Sequence, residues 1–201
     1  MIKTIIFDFG DVFINLDKPA IQKELSLLGK ISPPQIQEIN IAYETGKLST
    51  SECVNAFQTI LTNATKKEII NAWNAILLDF PEHRLQFIQN LSISKKYTLI
   101  LLSNTNELHI DWIKEHVSFY NIFKSCFNFF YLSHEIGLRK PDTSIFEFIL
   151  EQHQLNPLET LFIDDTKENT DSAKKLGIHV WNNDPKTEDI TNLFTIKSNI
   201  F

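Results

Sequence analysis

Apolar residues follow two different patterns along this chain. Short, fully apolar runs occur near the start and through the second half, while amphipathic segments fill the stretch between about Lys18 and Pro81. A short continuous apolar run predicts a strand buried on both faces, whereas apolar residues three and four positions apart predict a helix. The pattern therefore predicts two kinds of structure within one chain.

The apolar runs predict five strands. They cover Thr4–Phe7, Tyr97–Leu102, Phe127–Leu132, Thr160–Ile163 and Ile178–Trp181. Helical patterns at Thr143–His153 and Lys167–Leu176 alternate with the later strands, and Gly177 follows the second as a C-terminal cap. Alternating strands and helices are typical of a parallel sheet covered on both faces. We therefore expect an α/β fold with a Rossmann-like, three-layer core.

Four amphipathic segments with no strand between them follow the first strand. They span Ala20–Leu28, Pro34–Thr45, Ser51–Leu61 and Lys66–Leu77. Ser49 and Glu52 have the spacing of a capping box at the start of the third segment. We expect residues 17–81 to form a small all-helical unit, inserted into an α/β core of residues 1–16 and 82–201.

Composition and charge exclude several classes of partner. The chain has 201 residues, of which 43% are hydrophobic, so it can bury one core domain with a small insertion. A net charge of -6 argues against a nucleic-acid surface. Cys53 and Cys126 stand alone, which is typical of reduced, buried thiols. No apolar stretch approaches the ~20 residues of a membrane span, and the start does not fit a signal peptide. We expect a cytoplasmic protein.

Polar residues follow the predicted strands at the points where they end. In an open parallel sheet, ligands bind outside the carboxyl ends of the strands. The residues at or just beyond these ends are Asp8, Ser103, Asn104, Lys140, Asp164 and Asp165. We therefore expect three carboxylates, a hydroxyl, an amide and a lysine to meet at one edge of the sheet.

Some of these residues also have a purely structural interpretation. Asp165 with Glu168, and Asn104 with Glu107, have the spacing of helix N-terminal capping pairs. Lys140 fits an exposed loop lysine equally well. The sequence alone leaves these alternatives open.

Asp8 and Asp164 are harder to explain structurally. Each follows an apolar strand directly, where an unpaired charge is costly. Gathering them with Asp165 would also cost free energy unless a cation lies among them. Oxygen ligands without His or Cys favour Mg²⁺, and the Gly10 carbonyl is a candidate for a further ligand.

This set of residues fits phosphoryl transfer. A carboxylate can attack phosphorus and form an aspartyl-phosphate, which divides one difficult step into two. We predict Asp8 as the nucleophile, Ser103 as a ligand of the phosphoryl oxygens, and Lys140 as the charge that stabilises the transferring group.

Four stretches of the sequence resemble, in order, the motifs of haloacid dehalogenase-type (HAD) phosphatases: "IIFDFGDV", "LLSNTN", "GLRKPD" and "LFIDDTKEN". The helical insertion resembles the small C1-type cap of that family. The resemblance implies Mg²⁺-dependent hydrolysis of a phosphomonoester, with Asn169 supporting the metal site through water. The phrasing "LSNTN-x-LH" and "GxRKP" is similar to bacterial phosphatases that act on glucose 1-phosphate and related sugar phosphates.

One position departs from the family pattern. Most family phosphatases carry a second Asp, the general acid/base, where this chain has Gly10. Proton transfer by such a group contributes about 10²–10⁴-fold to a rate. Asp11 could substitute only if the turn directs it inward, and it fits a turn residue that bonds its own backbone equally well. The sugar-phosphate look-alikes also carry Gly here.

A helical lid over this edge would exclude water and select the leaving group. The candidate substrate contacts are Asn104, Asp11, Asn15 and Asp17. Tyr43 and Trp73 fit packing within the lid better than substrate contact. We expect the partner to be a small phosphorylated metabolite.

Three alternatives compete with the prediction of a phosphomonoesterase: two other functions and a catalytically weak member of the same family. A metal-independent 2-haloacid dehalogenase of the same superfamily also lacks the second Asp, but a paired Asp164-Asp165 is not expected there. A receiver-like phosphoacceptor places its acidic pair first in the chain and has no long helical insertion. A catalytically weak, phospho-ligand-binding family member is compatible with Gly10.

Overall fold

Five parallel strands form one sheet in the computed structural model, which describes residues 1–201. The strands are β1 (Thr4–Phe7), β2 (Thr98–Ser103), β3 (Phe129–Leu132), β4 (Thr160–Asp164) and β5 (His179–Asn182). Their order is β3-β2-β1-β4-β5, so β1 lies at the centre with β2 and β4 as neighbours. This arrangement confirms the predicted α/β fold.

Helices cover both faces of the sheet. They are α5 (Glu82–Ser94), α6 (Glu107–His116), α7 (Tyr120–Ser125), α8 (Ser133–Ile136), α9 (Thr143–Gln152), α10 (Lys167–Lys175) and α11 (Leu193–Ile196). Successive residues of β1 point to opposite faces, so Ile5 and Phe7 join one apolar cluster and Ile6 joins the other. The first cluster packs against α5, α6, α7 and α11, and the second against α9 and α10. None of the helices combines the length and apolarity needed to cross a bilayer.

The four remaining helices follow β1 and have an apolar core of their own. They are α1 (Ala20–Leu28), α2 (Pro33–Glu44), α3 (Thr50–Ile60) and α4 (Lys66–Asn74). Tyr43, Phe57 and Trp73 fill this core and are almost completely buried. The predicted capping box forms at α3, where Ser49 N donates to Glu52 Oε2 at 2.8 Å. We call this unit the cap. Its predicted bounds, residues 17–81, remain a prediction that the separate core supports.

The chain enters and leaves the cap through two segments that pair with each other. Asp17 N donates to Ile76 O at 2.9 Å, and Leu78 N donates to Asn15 O at 3.1 Å. The sequence predicts a helix from Lys66 to Leu77, but α4 ends at Asn74, because the following residues leave the helix to form this pairing.

The cap rests on the first turn of α6. The Trp73 indole Nε1 donates to Asn106 Oδ1 at 3.3 Å, and Leu108 N donates to the Tyr43 hydroxyl at 3.1 Å. The His109 ring stacks on Trp73 with 5.6 Å between ring centroids, and its Nε2 lies 3.2 Å from Trp73 O. The two aromatic residues of the cap therefore both pack its core and fasten it to the sheet domain.

We expect these contacts between the cap and α6 to stabilise the protein less at acidic pH. Burial lowers the pKa of His109 from 6.5 to about 4, although the bond to the Trp73 carbonyl partly opposes the shift. Between these two values the unfolded chain binds a proton that the folded chain does not, so stability falls as the pH falls. We expect the free energy of unfolding of the wild type to exceed that of His109→Gln by about 1–2 kcal/mol less at pH 4.5 than at pH 7.5. Urea unfolding at the two pH values measures this difference. A pH-independent difference would contradict this explanation.

Candidate active site

Three carboxylates meet at the carboxyl ends of β1 and β4. Asp8 follows β1, and Asp164 and Asp165 lie at the end of β4. Because Phe7 is in register with Ile163, the two strands bring these residues side by side, and Asp8 N donates to Ile163 O at 2.9 Å. One carboxylate oxygen from each residue lies within 4.8 Å of the other two. Such an all-oxygen, acidic set is what Mg²⁺ prefers in proteins.

A buried lysine lies among these carboxylates. Lys140 is 1% exposed, and its Nζ donates to Asp8 Oδ1 and Asp164 Oδ2, both at 2.7 Å, and to Leu102 O at 2.8 Å. All three of its N–H donors therefore have partners. The alternative of an exposed loop lysine does not describe this residue.

The side chain of Asn104 holds the backbone of Lys140. Asn104 Nδ2 donates to Lys140 O at 2.8 Å, and Lys140 N donates to Asn104 Oδ1 at 2.9 Å. The sequence predicts Asn104 as a substrate contact, and this stays a prediction, although both polar atoms of its amide bond the Lys140 backbone. Asn104 does not form a capping pair with Glu107, because Asn106 caps α6.

Burial and charge act in opposite directions on the ionisation of this cluster. Burial raises the pKa of Asp8 to about 7, Lys140 opposes this, and Asp164 and Asp165 add to it. Burial alone would lower the pKa of Lys140, but contact with Asp164 and Asp8 raises it above its ordinary value. Burial also raises the pKa of Asp165, while Lys18 opposes the shift. A divalent cation among the three carboxylates would therefore favour the ionised form of Asp8, because a nearby opposite charge stabilises a carboxylate.

Asn169 and the backbone after β4 orient Asp164. Asn169 Nδ2 lies 3.0 Å and 3.1 Å from the two carboxylate oxygens of Asp164, and Thr166 N donates to Oδ1 at 2.8 Å. The role of Asn169 in supporting the metal site through water stays a prediction, and its direct contact with Asp164 places it at that site. Thr166, not Asp165, occupies the N-cap position of α10, so Asp165 is not engaged in capping.

Ser103 lies at the same edge of the sheet. It is the last residue of β2, which pairs with β1, and it is 3% exposed. Its hydroxyl makes only one long contact, 3.5 Å to Asn104 O. Its predicted role as a phosphoryl ligand remains a prediction, and its position beside β1 supports it.

The turn after Asp8 places the Leu16 side chain against position 10, so a side chain there would have to displace it. A Cβ added to Gly10 would lie 2.6 Å from Leu16 Cδ1. Asp11 has a positive φ of 53°, its Oδ1 accepts from Leu16 N at 2.9 Å, and its Oδ2 lies 3.2 Å from Lys18 Nζ. Asp11 therefore braces this turn, and the Gly10 carbonyl remains a predicted metal ligand.

An open cavity of about 790 Å³ extends from Asp165 along the entrance to the cap. Its lining residues are Asp11, Asn15, Leu16, Asp17, Lys18, Pro19, Leu78, Asp165, Asp184, Pro185 and Lys186. The predicted residues Asp11, Asn15 and Asp17 thus line one cavity. The amide of Asn15 also bonds Asp79 and Arg84, each at 2.9 Å.

Sequence reasoning missed three charged residues of this cavity. Lys18 pairs with Asp165 and Asp11, while Asp184 and Lys186 follow β5. The strand-end rule would have found the latter two if it had been applied to the last strand. Lys18 had no comparable signal, because it lies in the connection to the cap.

A family described as haloacid dehalogenase-like hydrolase matches residues 5–182. The chain belongs to this family. It is 30% identical to D-ribitol-5-phosphate phosphatase of Bacteroides thetaiotaomicron, over 90% of this chain and 91% of that protein. An HAD family enzyme of the same species, solved in complex with magnesium and inorganic phosphate, has a TM-score of 0.85 and 31% identity, covering 96% of this chain and 100% of the other. The sesquiterpene phosphatase astK of Aspergillus oryzae is 25% identical, covering 88% and 87%.

These similarities confirm the family that the four motifs predicted and place this hydrolase among the phosphatases of the family. The prediction of Mg²⁺ as its cofactor is confirmed as well, because the acidic cluster fits a divalent ion and a similar enzyme holds magnesium.

We expect the buried lysine to control stability in the absence of metal. Lys140→Met should lower the free energy of unfolding by about 3 kcal/mol in EDTA, because two buried carboxylates lose their counter-ion. Added Mg²⁺ should restore part of that loss. Lys3→Met is the control, because Lys3 pairs with Glu159 on the surface at 2.8 Å and should cost less than about 1 kcal/mol. Urea unfolding checks both variants, and equal small losses would rule out this role for Lys140.

Proposed function

We propose that this protein is a Mg²⁺-dependent phosphomonoesterase that hydrolyses a small sugar phosphate or polyol phosphate through an aspartyl-phosphate on Asp8. The observation that carries the proposal is the position of Asp8. Its carboxylate is held at a strand end between an ammonium group and a pair of carboxylates.

Each residue of the site has a separate role in the proposed reaction. Asp8 forms a bond to phosphorus while the bond from phosphorus to the substrate oxygen breaks, and the alkoxide that leaves takes a proton from water, because Gly10 supplies no acid. A second water then attacks the aspartyl-phosphate, which releases phosphate and restores Asp8. Lys140 stabilises the charge on the transferring group, and Ser103 binds a phosphoryl oxygen. Asp8, Asp164, Asp165 and the Gly10 carbonyl would hold Mg²⁺, which neutralises repulsion between the nucleophile and the phosphate.

The competing functions fit the site less well. Halide displacement by a carboxylate does not need a metal, and it leaves the gathering of Asp164 and Asp165 beside Asp8 unexplained. A receiver-like phosphoacceptor has no use for a helical unit fastened over the strand ends. The lack of an acid at Gly10 is compatible with a weak enzyme, and it should slow esters with poor leaving groups most.

The lining of the cavity supports a hydroxyl-rich substrate. Seven of its 11 residues carry carboxylate, amide or ammonium groups, and Leu16, Pro19, Leu78 and Pro185 supply the apolar remainder. The polar groups bond sugar hydroxyls well, whereas an isoprenoid chain needs apolar walls. We therefore favour a sugar or polyol phosphate over a sesquiterpene phosphate.

A cytoplasmic location and the absence of nucleic-acid partners remain part of this proposal. Cys53 and Cys126 are both buried and unpaired, which agrees with a reducing compartment. The net charge of -6 does not favour binding to nucleic acid.

We expect p-nitrophenyl phosphate to be hydrolysed with Mg²⁺ and not with EDTA. This aryl ester releases a stabilised anion and so does not need a general acid. Asp8→Asn should lower kcat by at least about 10³-fold, because the amide cannot act as the nucleophile. Asp171→Asn, an exposed carboxylate on α10, is the matched control. Metal-independent chloride release from 2-chloropropionate would instead favour the dehalogenase, and inactivity in both assays would favour a binding protein.

A panel of phosphate esters tests the substrate class. We expect kcat/KM for ribitol 5-phosphate or glucose 1-phosphate to exceed that for farnesyl phosphate by about 10–100-fold, because the polar cavity is left with unpaired groups beside an apolar chain. Asp17→Asn should raise KM for the preferred ester and leave the hydrolysis of p-nitrophenyl phosphate almost unchanged. A preference for farnesyl phosphate would contradict the assignment from the cavity.

A further inference from the structure

One ion pair joins the cap to the loop that carries Lys140. Glu44, the last residue of α2, accepts hydrogen bonds on Oε2 from Arg139 Nη2 at 2.8 Å and Arg139 Nε at 3.1 Å. The side chain of Glu44 is 11% exposed and that of Arg139 is 26% exposed. Two charge-assisted bonds from a planar guanidinium, in a partly buried setting, fix relative orientation better than a surface pair does.

A steric contact beside this pair brings the same two segments together. Gly46 has φ of 66°, and a Cβ added there would lie 2.4 Å from the carbonyl oxygen of His134 in α8. The backbone that follows α2 therefore lies directly against the backbone of α8, an approach that only glycine allows. The chain then runs from α8 through Gly137 to Arg139, so both contacts act on the segment that leads into Lys140.

Arg139 and Lys140 are consecutive in this segment, but their side chains bond different parts of the protein. The Arg139 side chain bonds the cap, while the Lys140 side chain bonds Asp8 and Asp164 in the core. Asn104 holds the Lys140 backbone from the core side. The position of the ammonium group is therefore set from two directions, by Asn104 and by the cap.

We propose that Glu44 is a positioning residue: through Arg139 it aligns Lys140 with Asp8 and Asp164 when the cap is seated on the core. The chemical step would then proceed at full rate only with the cap in place, which protects the aspartyl-phosphate site from unproductive turnover. This inference rests on the proposed function for its kinetic readout only.

Glu44→Gln is the first test, with p-nitrophenyl phosphate as the substrate. We expect kcat to fall about 10-fold while KM changes less than about 2-fold, because Lys140 is misaligned but the cavity is intact. Glu44→Asp should recover part of the loss. Gly46→Ala, which separates the same segments without altering either charge, should lower kcat in the same way, provided that its melting temperature shows a folded protein.

Thr50→Val is the matched control. The Thr50 hydroxyl bonds Glu107 in α6 and the Tyr43 hydroxyl, so this variant loosens another contact between the cap and the core while both charged groups of the Glu44–Arg139 pair stay in place. We expect its kcat to stay within about 2-fold of the wild type. If Thr50→Val and Glu44→Gln lower kcat equally, or if Glu44→Gln lowers stability alone, the pair only fastens the cap and the inference is wrong.

A second readout needs no turnover. Urea unfolding of Glu44→Gln, Lys140→Met and the double variant forms a thermodynamic cycle between two residues that share no hydrogen bond. Non-additive losses would support coupling through Arg139, and additive losses would overturn it. If the wild type hydrolyses no phosphate ester, the proposed function fails on that result alone, and this cycle still decides the inference.

Discussion

The balance of charge between Lys140 and the carboxylates governs this structure. The register of β1 with β4 places Asp8 beside Asp164, and two buried carboxylates so close would repel each other strongly. The ammonium group of Lys140 bonds both, and Asn104 holds its backbone in place. A residue from a distant loop therefore supplies the charge that stabilises this acidic cluster at the centre of the sheet.

The site has two ends with different physical character. Its inner part, around Lys140 and the carboxylates, is buried and highly charged, and in the proposed reaction it would meet the phosphoryl group that all phosphomonoesters share. The cavity beyond Asp165 is open and lined mostly by charged and amide residues, and in the proposed reaction it would face the part of the substrate that differs between esters. In the turn between these ends, the Leu16 side chain packs against Gly10, the position at which the resemblance to HAD phosphatases implies an acid.

Much of the fold and of the inner part of the site could be predicted from the sequence. Apolar runs locate buried strands, and the strand-end rule then selects Asp8, Ser103 and Asp164 without any knowledge of contacts. The partners of Asn104 and Glu44 could not be predicted in this way. They lie in segments that only the tertiary fold brings together, and no local spacing marks them. The early end of α4 has the same cause, because a pairing with Asn15 and Asp17 overrides helical periodicity.

The paired backbone at the base of the cap has a consequence for how such a protein can diversify. Since Leu16 and Leu77 form a bridge, the insertion begins and ends at neighbouring points in space. A unit attached in this way can be lengthened, reshaped or exchanged at little entropic cost to the sheet domain. Leaving-group preference can therefore change in evolution while the phosphoryl-transfer machinery stays the same.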